Sequence, residues 1–129
     1  MRTAHDDAFR RAIDEFNDGR YFECHDTLEA IWMESSGEEK RFLQGLIQVS
    51  VGFYHYFNGN PSGALSQWGK GAGKLSAFAP GHAGIDLERL LAAVDAWSGV
   101  AAGELSGRQA ASEGLQTPAM EFNHNTQRS

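Results

Sequence analysis

The stretch from Phe42 to Phe57 constrains this chain more than any other, because between Gln44 and Phe57 it holds no Lys, Glu or Asp. At 100° per residue, Leu46, Val49, Phe53, Tyr56 and Phe57 fall within about 60° of Phe42, and Leu43, Ile47, Val51 and Tyr54 carry the apolar surface round to about 180°. Neighbours must cover such a helix on most sides, so it predicts the centre of a bundle. Its polar stripe is Arg41, Gln44, Gln48 and His55, with Gly45 and Gly52 as points where another backbone can approach closely.

The preceding segment supplies the first partner. Tyr21, Cys24, His25, Leu28 and Trp32 share one helical face, with Glu29 on its shoulder beside Phe22. Ser35, Ser36 and Gly37 then break the chain, and so short a turn makes the two helices antiparallel neighbours. Before them, Ala8, Phe9, Ala12, Ile13 and Phe16 predict an amphipathic helix over residues 4–16, with Glu15 off its apolar face and Asn17 and Gly19 at its end. After them, Asn60 and Pro61 are a natural N-cap and first helical residue for a fourth helix reaching about Phe78. Gly63, Gly69, Gly71 and Gly73 each cost that helix about 1 kcal/mol against alanine, so it depends on packing and irregularity is expected there. Asp86 is the expected cap of a fifth helix, buried through Leu87, Leu90, Leu91, Val94, Trp97 and Ala101. No strand-like alternation of any length appears.

The fold class is therefore all-α: a single-domain helical bundle of about five helices, built on a central antiparallel hairpin and spanning residues 1–102. A polar tail, residues 103–129, is docked or flexible. A net charge of −6 provides no broad basic face for a phosphate backbone, which argues against a nucleic-acid partner. No apolar run reaches the roughly 20 residues of a membrane span, so no membrane partner is expected. The single cysteine, Cys24, allows no disulfide within the chain and sits in an apolar stripe as a packed thiol, which fits a reducing cytoplasm. The aromatic inventory and the glycine faces suit a homodimer.

His25 and Glu29, four residues apart on one helix, have the spacing with which two ligands face one metal ion. His55 is the natural third ligand by chemistry, although counting out from the hairpin turn sets His25 level with Gln48, Glu29 level with Gln44, and His55 about 10 Å further along. Two ligand classes follow. One is a divalent transition metal held by His25, Glu29 and His55. The other is a small, anionic molecule held by His25, Glu29, Arg41, Gln44, Gln48 and His55. If the site is hydrolytic, Glu29 is the base and Arg41 the anion stabiliser. The competing reading is a protein–protein interaction module in which the same groups form a structural network, His25 to Gln48 and Glu29 to Arg41 or Gln44. Lys70 and Lys74 read as a solvated pair, and His5, His82 and His124 need no role.

The residues from Phe16 to Trp32, then Gly45 to Gln48, His55, Gly59 and Asn60 with Gly63 and Ala64, resemble the bacterial and archaeal family catalogued as domain of unknown function 309. The resemblance covers roughly residues 9 to 78 and implies a compact all-α fold without naming an activity. His25, Glu29, Gln48 and His55 match its motif, whereas Asp26 stands where the family tends to have glutamate.

Overall fold

The computed structural model describes residues 4–107 and 115–122. Five α-helices account for most of them: α1 (Ala4–Asn17), α2 (Tyr21–Met33), α3 (Gly37–Phe57), α4 (Pro61–Leu75) and α5 (Leu87–Leu105). The protein is all-α, as the periodicities predict. Asn60 caps α4 by accepting from Gly63 N at 2.9 Å, and Asp86 caps α5 by accepting from Arg89 N at 3.1 Å. The irregularity expected in α4 is confined to its end, a single 3-10 turn over Ser76–Phe78.

The helix α3 lies at the centre. Its Phe42, Leu46, Val49 and Phe53 are all but inaccessible, and Phe53 meets rings from each of the four other helices: Phe16, Tyr21, Trp68 and Trp97. The two glycines singled out in α3 are contact points, since a Cβ at Gly45 would stand 2.8 Å from Leu75 and one at Gly52 would stand 2.4 Å from the Trp68 ring. At these two points the α4 side chains take the space that a Cβ on α3 would need.

Two expectations are corrected. The chain contains a small antiparallel pairing, β1 (Gly81–His82) with β2 (Ile85–Asp86), too short to show as alternation in the sequence. It is held against α3 by His82, whose Nε2 is 2.5 Å from Glu39 Oε1 while its ring packs on Phe42 and Phe78. Glu15 is buried rather than peripheral, because α1 packs across the back of α2 and Thr27 there donates to Glu15 Oε1 at 2.7 Å. Thus α2 has two buried faces, whereas a wheel drawn for one face shows only the Cys24 and Leu28 side.

The chain continues α5 to Leu105, three residues into the expected tail. Residues 115–122 cross back over the bundle, with Met120 buried in it, while His124 lies outside the described residues. Among the described residues, no helix is long and apolar enough to cross a membrane.

Candidate functional site

The seam between α2 and α3 is pinned by a buried polar pair. Ser50 Oγ donates to Leu46 O at 3.0 Å, which leaves Ser50 to accept from the Cys24 thiol at 3.3 Å. Burial pushes Cys24 from the usual 9.0 up to about 12, and burial likewise carries the Tyr21 hydroxyl from 10.0 to about 12. Both groups are therefore neutral in the folded state at pH 8. Because their folded values are raised, their contribution to stability is complete below about pH 9 and is lost as the pH climbs toward 12. A thiol reagent at pH 8 is accordingly expected to label Cys24 no faster than the protein unfolds, and denaturant is expected to release the thiol at once.

From this pin the geometry of the candidate residues follows. Gln48 is two residues from Ser50, so it points about 160° away from α2. It faces α4 instead, where it accepts from Lys74 Nζ at 2.9 Å, so Lys74 is not simply solvated. The expected pairing of His25 with Gln48 is replaced by this contact. Arg41 is exposed and Gln44 half-buried, about 180° and 120° round from Ser50. Counting from the turn gives the level of a residue along the helix, but direction decides what it meets.

The residues at the other end of the hairpin do converge. A recess of about 170 Å³ is lined by Tyr21, Phe22, His25, Val51, Tyr54 and His55. The two histidines thus share one cavity, and Glu29 adjoins it through His25, with Oε2 at 3.4 Å from Nε2. Beside it opens a wider hollow of about 510 Å³, whose walls include Arg20, Tyr21, Phe22, Tyr54, Phe57 and Thr117. Between the two stand Phe22 and Tyr54, ring centroids 5.6 Å apart, and Phe22 and Phe57 are each half exposed. The continuous covering expected over Tyr54 and Phe57 stops here, because α2 begins at Tyr21 and offers nothing further to pack on them.

The His25 ring is the polar centre of this cleft. Its Nδ1 is buried without a hydrogen-bond partner, and Asp26 Oδ1, 3.5 Å away, does not supply one. A buried polar nitrogen without a partner is costly, and such atoms are few in folded proteins. Glu29 Oε2 stands 3.4 Å from Nε2 on the opposite side, so the ring lies between two carboxylates. Among the described residues, no three His, Cys, Asp or Glu side chains come together as a metal-holding group.

A compact all-α protein with an aromatic cleft at the foot of its central hairpin is the class that fold and site define. Residues 9–67 match the family model described as Domain of unknown function (DUF309), and that segment, which comprises most of α1, all of α2 and α3 and the start of α4, belongs to this family. Over 45 residues, 34% of the chain, it is 44% identical to "Uncharacterized protein YpuF" of Bacillus subtilis (strain 168), and the match spans 26% of that protein's length. Neither description names an activity.

Proposed function

We propose that the domain binds a small, flat, anionic molecule in the cleft between α2 and α3. One observation carries this reading: His25 and His55 line one recess whose aromatic walls, Phe22 and Tyr54, the fold leaves partly exposed. Contiguous exposed apolar surface is unusual in a protein without a partner for it. The walls suit a ring system, and Arg20 at the rim, 3.7 Å from Asp18, is the positive charge that borders the hollow. Of the residues read from the sequence, His25 and His55 face the ligand, Glu29 positions His25, and Arg41, Gln44 and Gln48 stand outside the cleft.

The experiment is a fluorescence titration with 1-anilinonaphthalene-8-sulfonate, a flat apolar anion. Saturable binding to the wild-type chain is expected. Phe22→Ala and Tyr54→Ala are each expected to weaken it about 10-fold, the loss of one aromatic wall, with the far-UV circular dichroism unchanged. Non-saturable binding, or binding indifferent to both substitutions, would exclude the cleft.

A divalent metal is the second reading, favoured by one distance. The 3.4 Å between His25 Nε2 and Glu29 Oε2 equals the ligand–ligand edge of a tetrahedral site with arms of about 2.0–2.1 Å. The third position would fall to His55, which lines the same recess but does not stand with His25 and Glu29 as a metal-holding group, so His55 would have to move to close the site. A zinc-dependent rise in Tm that disappears in Glu29→Gln and in His55→Gln would select the metal over the organic anion.

A further inference from the structure

Residues 115–122 lie extended in a groove bounded by the end of α1, the β-hairpin and α5. The Asn17 side-chain amide holds Met120 from both sides, donating to its carbonyl at 2.9 Å and accepting from its N–H at 2.7 Å. Asp86 N donates to Glu121 O at 2.8 Å, Phe122 forms a bridge with Ile85, and Arg89 pairs with Glu121 at 3.0 Å. The Met120 side chain is buried, and the Arg10 guanidinium stands 4.7 Å above the Phe122 ring.

These are the contacts by which proteins dock extended peptides: main-chain hydrogen bonds along an edge, one pocketed side chain and a charged rim. None of them depends on the segment belonging to the same chain. The groove is also wider than its occupant, since a cavity of about 390 Å³ remains between the segment and the Arg89, Ala93 and Trp97 side of α5. Seven residues, 108–114, link the segment to the body, and seven residues can reach about 25 Å at full extension.

We propose that this groove accepts the 115–122 segment of a second copy of the chain, so that two chains pair by exchanging segments. Every copy carries both halves of the contact, and the exchanged form makes the same bonds as the closed one. The balance between them is set by protein concentration against the effective concentration of the tethered segment.

Complementation tests this. Asn17→Ala keeps the segment but loses the clamp, and Met120→Asp keeps the groove but spoils the segment. In light scattering after size exclusion, the wild-type chain is expected to show a dimer fraction that rises with concentration. Each variant alone is expected to be monomeric, and an equimolar mixture is expected to recover dimer, since one good segment then meets one good groove. A labelled peptide of residues 115–122 gives a second measurement. It is expected to bind the wild-type chain, which needs no substitution to fold, and to bind Met120→Asp about 10-fold more tightly because the tethered competitor is removed. A wild-type chain that stays monomeric at every concentration and ignores the peptide would overturn the proposal. So would a dimer that both variants retain unchanged, because it would use another surface.

Discussion

Phe53→Ala is expected to lower the free energy of unfolding by about 3–5 kcal/mol, the range for deleting a fully buried aromatic ring. Phe53 has no exposed surface, and its centroid lies 5.8 Å from Phe16, 5.7 Å from Tyr21, 4.8 Å from Trp68 and 6.1 Å from Trp97. Those four rings belong to α1, α2, α4 and α5, so one cavity would undercut every helix interface at once. Collapse around it is hindered because Gly52, the next residue along, already sits against the Trp68 ring. Urea unfolding followed by circular dichroism gives the size of the effect. Phe57→Ala is the internal comparison: its ring stacks on Tyr21 but is half exposed, so its loss is expected to cost less than about 2 kcal/mol. Equal losses at the two positions would mean that burial, not ring identity, has been misjudged at Phe53.

The same neighbourhood shows how far the sequence can be read. The helix ends were legible because each is signalled locally, as at Asn60 and Pro61 or at Asp86. The close contact at Gly45 and Gly52 was legible because glycine on an otherwise apolar face has few other uses. What failed was direction. Ser50, a small polar residue in an apolar run, gives no strong sign of facing Cys24, yet that contact turns Gln48 and Arg41 away from α2 and brings Tyr54 round to His25, with Val51 and His55 lining the same recess. Glu15 and Thr27 were missed because each looks solvated on its own helix, and only the crossing of α1 over α2 makes them partners. Asn17 has an obvious local role in ending α1, which hides its distant one at Met120. Of the candidate residues, those at the hairpin's open end stand together, whereas the glutamines and Arg41 near the turn do not.

Within α4, two glycines of identical local reading are expected to respond to alanine with opposite sign. At Gly71 a Cβ would stand 2.8 Å from the Gly45 carbonyl oxygen and 3.1 Å from Val49 N, and backbone of a packed central helix cannot step aside as a side-chain tip can. Gly71→Ala is therefore expected to destabilise by about 1–3 kcal/mol through forced separation of α3 and α4. At Gly69 nothing lies within 4 Å of the added carbon, and the residue is exposed in the same helix. Gly69→Ala is expected to stabilise by about 0.4–1 kcal/mol, since it narrows the unfolded chain's freedom and adds a better helix former without touching a neighbour. Thermal unfolding of the two single variants and of the double variant decides the matter. The two sites lie on opposite faces of one helix and share no contact atom, so their effects are expected to be close to additive. If Gly71→Ala instead raised the Tm alongside Gly69→Ala, the α3–α4 seam would have to be looser than the Gly45 approach makes it, and Gly71 would be an ordinary weak point of the helix rather than its contact with α3.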